Sequence, residues 1–154
     1  MKNCLVVCIG NDLVADDGVG QAVYNSLVDI SVSKGVRLEY LGLGGMDLIE
    51  QINGEDLLIV VDAVQLGADV GTVHILDWDQ LPAMGPRPVS GHGIGIREAI
   101  EVSKRLYPER VPVEIYLVGI EGACFNQLGI EMTGEVKDAV PLAVRIVCDL
   151  LAQK

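Results

Sequence analysis

The sequence predicts an α/β fold on a mostly parallel, five-stranded twisted sheet with one antiparallel strand at an edge. Three observations predict it. Segments 3–9 (NCLVVCI), 56–63 (DLLIVVDA) and 113–120 (VEIYLVGI) are apolar runs of the kind buried on both faces of a covered sheet. Segments of helical spacing separate the first three strands, and a β-α-β-α-β order implies parallel pairing with right-handed crossovers. The fourth strand, 71–76 (GTVHIL), follows the third too soon for the dozen or so residues of a parallel crossover, so it should run antiparallel.

The elements follow in order. After the first strand comes a polar loop, GNDLVADDG, and then a helix over 17–30. Val19, Val23, Leu27 and Ile30 form its inner stripe with Ala22 beside them, and Asp16 or Asp17 is the expected N-cap. Gly35 separates it from a strand at 36–41 (VRLEYL). Gly42, Gly44 and Gly45 mark a turn, and a short helix over 46–53 turns Leu48, Ile49 and Ile52 inward before stopping at Asn53-Gly54. Beyond the fourth strand, a loop with Pro82, Pro86 and Pro88 ends in SGHGIG. It leads to a helix over 94–106 carrying Ile96, Ala99, Ile100 and Leu106 on one side. The last helix, 134–152, has Val136, Val140, Ala143, Val144, Val147 and Leu151 as its stripe, and Pro141 should kink it or start a fresh helix.

With 154 residues, half of them apolar, the chain suits one domain spanning 1–154. Lys and Arg number 11 against 22 Asp and Glu, and the net charge of −11 repels a phosphate backbone, which argues against nucleic acid as a partner. The N-terminal apolar run, Cys4 to Ile9, is too short to span a membrane, and no signal peptide is legible, so a cytoplasmic location is expected. Cys4, Cys8, Cys124 and Cys148 form no C-x-x-C pair. Cys4 and Cys8 would share one face of a strand about 13 Å apart, too far to bridge. Reduced, buried thiols are the expectation.

Open α/β sheets bind ligands beyond the carboxyl ends of their parallel strands. Three stretches put polar groups there: Asn11, Asp12, Asp16 and Asp17 after the first strand; Asp62, ending the third; and His92, entering the third helix. Each has a plainer reading. Asp16 or Asp17 could simply cap a helix, Asp62 could cap a turn, and His92 lies in a glycine-flanked loop. Together, two carboxylates and an imidazole suit a borderline ion such as nickel or zinc. No H-E-x-x-H and no G-x-S-x-G is present. Ser90 and His92 are too close on one loop to read as a nucleophile–base pair, and Cys124 reads as a partly buried thiol. His74, alternating with Val73 and Ile75, reads as solvent-facing.

The chain resembles the hydrogenase maturation endopeptidases. The likeness is carried in order by IGNDLVADDGVG (9–20), GGMDLIEQINGEDLLIVVDAV (44–64), GTVHIL (71–76), SGHGIGIREAI (90–100) and GIEGACFNQLGIEMTGEV (119–136). It implies a three-layer α/β/α sandwich. It also implies an endopeptidase that removes the C-terminal extension of a nickel–iron hydrogenase large-subunit precursor after nickel insertion. Asp17, Asp62 and His92 would contact the metal, with Asp17 and Asp62 as the catalytic carboxylates. The nickel would arrive with the substrate, so no permanent cofactor is expected, and other divalent ions should be able to substitute in the site. The implied partner is the precursor, and the implied state is a monomer. The chain departs from the family pattern at Cys8, where glycine is usual, at Asp17, where many relatives have Glu, and at Gly122, where proline is common.

Two other classes compete. A signalling receiver domain also has acids after its first strand and an Asp ending its third. Here GNDLVA intervenes before the acids, and VEIYLVGIEGA supplies no Lys after the fifth strand. A nickel-delivery protein would bind the ion without cutting a peptide.

Overall fold

In the computed structural model of the protein, residues 2–11, 15–32, 34–42, 45–80, 96–123 and 131–153 are described. The strands are β1 (Cys4–Ile9), β2 (Val36–Leu41), β3 (Leu57–Val64), β4 (Val73–Asp77) and β5 (Glu114–Glu121), and the helices are α1 (Val19–Asp29), α2 (Gly45–Gln51), α3 (Ile96–Leu106) and α4 (Gly134–Ala152). The strands form one sheet in the order β2-β1-β3-β5-β4. All neighbouring pairs are parallel except β4 with β5, so the antiparallel strand stands at an edge, as its short connection requires.

Burial explains the runs that marked the strands. Every residue of β1 and β3 is buried. Odd and even positions of β3 serve two different cores. Leu57, Ile59, Val61 and Ala63 pack with Val19, Val23 and Leu27 of α1 and with Val136, Ala143 and Val147 of α4. Leu58, Val60 and Val64 pack with Leu48 of α2 and with Ile96, Ala99 and Ile100 of α3. Helices therefore cover both faces, giving three layers. Each fully buried aliphatic side chain contributes roughly 1.5–3 kcal/mol relative to exposure, so the central strands are the main source of stability.

The helix details differ from expectation at several ends. Ile30 is the C-cap of α1 and is 53% exposed, and Leu106, the last residue of α3, is 63% exposed. Each stripe extrapolates the helical period to where its helix has run out of sheet to cover. Pro141 starts no fresh helix: α4 runs through it without a break. Its buried stripe, Val136, Ala139, Ala143, Val147 and Leu150, continues on both sides, so packing offsets the hydrogen bond that proline cannot make. Among the described residues, no helix is long and apolar enough to cross a membrane.

The amino end of the sheet is tied by two guanidinium groups. Arg37 of β2 donates to Gln51 Oε1 at 2.7 Å and Glu55 Oε1 at 2.9 Å. Arg110 donates to the carbonyls of Ile52 at 2.7 Å and Glu50 at 3.0 Å. These cations meet carbonyls at and just beyond the α2 C-terminus, where a helix favours positive charge.

Candidate active site at the carboxyl ends of the strands

The loop after β1 folds back on itself because two glycines permit it. A Cβ on Gly10 would overlap the carbonyl oxygen of Asp17, and a Cβ on Gly20 would overlap that of Ile9. The first contact brings the turn 15–18 over the end of β1, and the second seats α1 directly on the same strand. The Gly10 carbonyl also accepts from the Tyr40 hydroxyl of β2, and the Gly10 amide donates to the Leu41 carbonyl at 3.2 Å. Ala15, where the turn begins, takes a φ of 27°, a left-handed value uncommon for a residue with a Cβ.

The two acids of this turn, a single 3-10 turn over Ala15–Gly18, do different work. Asp16 is completely buried and reaches across to the far side of the loop. Its carboxylate accepts from the Thr133 amide at 2.6 Å, the Thr133 hydroxyl at 2.7 Å and the Ala123 amide at 2.8 Å. It ties the β1 loop to the end of β5 and the start of α4. Asp17, 3% exposed, turns back instead: its Oδ2 accepts from the Asn11 amide at 3.0 Å. Neither acid is the N-cap of α1. That position is Gly18, with no side-chain cap bond.

Asp62 lies in β3, in register with Gly119 of β5. It alternates with Val60 and Val64, so it belongs to the face covered by α2 and α3. It is 1% exposed, and its Oδ1 accepts from the Ala63 amide at 2.8 Å. The turn that carries Asp17 packs against β3, so both carboxylates sit at the same end of the sheet. Their other oxygens, Asp17 Oδ1 and Asp62 Oδ2, are buried as well. His92, Asp12, Ser90 and Cys124 lie outside the described residues. Among the described residues, no group of three or more His, Cys, Asp or Glu is arranged to hold a metal ion.

Cys8 sits behind this end of the sheet. Burial pushes its thiol up to about 12, and the negative charge of Asp62 pushes in the same direction. At neutral pH it is therefore a protonated, inert packing group.

A family model of the hydrogenase maturation proteases matches residues 25–150. The chain belongs to the hydrogenase maturation protease family. Hydrogenase expression/formation protein HoxM of Azotobacter vinelandii is 30% identical to this protease over 154 residues, covering 99% of this chain and 73% of the relative. HupD of Rhizobium leguminosarum bv. viciae is 31% identical over 144 residues, covering 91% and 69%. Among solved structures, the NiFe hydrogenase maturation protease HybD from Thermococcus kodakarensis matches with a TM-score of 0.76 at 26% identity, over 96% of this chain and 98% of that one. The Escherichia coli maturating endopeptidase HybD shares the fold, with a TM-score of 0.84 at 24% identity, over 98% and 93%.

The structure of this protease also corrects the reading of His74 as solvent-facing. Its Nε2 lies 3.0 Å from Glu121 Oε1, and its side chain is only 18% exposed. Glu121 is 3% exposed and also accepts from the Leu66 amide at 2.9 Å. A sequence signal existed: two positions along from His74 stands Leu76, which packs into the core under α2 and α3. In a strand that spacing puts both side chains on one face.

Proposed function

We propose that this protease removes the C-terminal extension of a nickel–iron hydrogenase large-subunit precursor once nickel has been inserted, and that Asp17, Asp62 and His92 engage the nickel carried by that substrate. What supports the reading is the pair of buried carboxylates at the carboxyl ends of the parallel strands, in a chain of this family. One oxygen of each is held by a backbone amide, Asn11 for Asp17 and Ala63 for Asp62, which fixes the rotamers before any ligand arrives. A cation brought by the substrate is attracted by two carboxylates held at one end of the sheet, so the site discriminates a metal-loaded precursor from an empty one. On this reading the protease keeps no metal of its own, and other divalent ions can take the nickel's place.

Docking the nickel sets the scissile peptide beside the carboxylates. One carboxylate takes a proton from water as the oxygen attacks the scissile carbonyl, and the nearby ion draws charge from the carbonyl oxygen. The C–N bond then breaks and the departing amine takes up the proton. The chain acts as a monomer in the cytoplasm, and its macromolecular partner is the precursor.

Intact mass measurement of the precursor after incubation with the protease tests this. With nickel loaded, the precursor should lose one C-terminal fragment; without nickel, its mass should not change. Cleavage at equal rates with and without nickel contradicts recognition of the ion. Nickel binding without any loss of mass contradicts the endopeptidase assignment.

A further inference from the structure

The His74–Glu121 pair shares the sheet face and the register of the carboxylate site. Asp62 of β3 pairs with Gly119 of β5, and Gly119 pairs with His74 of β4, so the three residues form one row across the sheet. In-register neighbours point the same way, which puts His74 on the face of Asp62. Between them Gly119 contributes no side chain. The methyl groups of Val64 lean over it, 3.0 Å from where a Cβ would stand, and make a low apolar ledge. Two strand spacings separate Asp62 from His74, about 10 Å between Cα atoms, which is the span of about three residues of an extended peptide.

The imidazole is held for use. Glu121 is buried and, when ionised, can only accept, so the Nε2 of His74 carries the proton that points at it. In the neutral ring this leaves Nδ1 as an acceptor. No described residue donates to Nδ1; the only side-chain hydrogen bond His74 makes among the described residues is to Glu121. The Leu66 amide fixes Glu121 in turn at 2.9 Å, so the ring orientation is set by a buried carboxylate that is itself anchored.

We propose that His74, oriented by Glu121, contacts the precursor peptide about three residues from the scissile bond and accepts a hydrogen bond there from a main-chain N–H or a donor side chain. This rests on the reading that Asp62 faces the reacting peptide. The pair makes His74 a specificity residue rather than a member of the reacting group.

The test uses the full chain and a nickel-loaded large-subunit precursor. His74→Gln keeps a donor toward Glu121 but loses the acceptor at the Nδ1 position, and His74→Asn keeps that acceptor but loses the donor. With His74→Gln, KM should rise about tenfold, the worth of one hydrogen bond to substrate, while kcat stays within about twofold. His74→Asn should remain within about threefold of the original KM. Replacing precursor residues near the cleavage point one at a time by proline or alanine should reveal one sensitive position about three residues away. Its effect should vanish in His74→Gln, as coupled partners require. Glu121→Gln, which still accepts from Leu66, serves as a second variant and should raise KM in the same direction. An unchanged KM in both His74→Gln and Glu121→Gln overturns the inference, as does an equal loss by Gln and Asn variants that tracks a lower Tm. Failure of the unaltered protease to cut the nickel-loaded precursor overturns instead the reading beneath it.

Discussion

Adjacent residues in this protease have separate jobs, and hydrogen-bond partners tell them apart. Asp16 spends its carboxylate on Thr133 and Ala123, 117 and 107 residues away, whereas Asp17 bonds locally to Asn11 and stays with β3. By spacing alone either acid could cap the helix, and the family likeness singles out Asp17; nothing near them announces that Thr133 is Asp16's partner. Cys8 shows the same dependence on distant neighbours, since its thiol is pushed up to about 12 first by burial and then by Asp62. The sign of the consequence follows from linkage. In the unfolded chain the thiol loses its proton near pH 9, while in the fold it holds the proton to about 12. Between these values the unfolded state binds fewer protons, so stability falls as pH rises, by up to about 1.4 kcal/mol per pH unit from this group. Cys8→Ala should flatten the alkaline limb of a stability profile measured by urea unfolding between pH 9 and 12. An unchanged slope would contradict the assigned burial. In the native state at pH 8, Cys8 should also react with a thiol reagent far more slowly than in urea.

Among the elements, the strands were legible and the contacts between them only partly so. Leu57–Val64 announces itself as a two-sided buried strand because every position must be apolar there, and Asp62 stands out as the one that is not. The antiparallel β4 was legible from chain length alone. The role of His74 was not, because its partner Glu121 lies 47 residues away on β5. Helix ends were the other weak point: Ile30 and Leu106 continue an apolar period past the region that the sheet can cover. The close seat of α1 on β1 makes a sharper claim. A methyl group on Gly20 must displace the Ile9 carbonyl or the helix, so Gly20→Ala should lower stability by about 1–3 kcal/mol and disturb the Asp17 turn. A Cβ on Gly134, the first residue of α4, meets nothing within 4 Å, so Gly134→Ala should leave the protease as stable or slightly more so. Thermal unfolding of the two variants decides it, and equal Tm values would contradict the packing described.

At the level of the whole molecule, the sheet is an organising frame that brings remote sequence to one end. Residues from the β1 loop and β3 meet because parallel strands all finish on the same side, and the β5 end with its following segment joins through Asp16. The amino end is closed by Arg37 and Arg110, so the two ends of the sheet are chemically distinct: cations tied to carbonyls and carboxylates at one, buried carboxylates at the other. The family motifs made that end recognisable in the sequence and singled out Asp17, while the tie of Asp16 to Thr133 and Ala123 needed coordinates. The role of these carboxylates is tested most directly by nickel-dependent loss of the precursor's C-terminal fragment, followed by intact mass, for Asp17→Asn, Asp62→Asn and His92→Ala beside Asp16→Asn. The first three should keep the Tm of the unaltered protease within a few degrees yet release no fragment, while Asp16→Asn should lose stability, by about 1–3 kcal/mol, and still cut at temperatures where it is folded. Normal release of the fragment by Asp17→Asn, Asp62→Asn and His92→Ala would contradict that role.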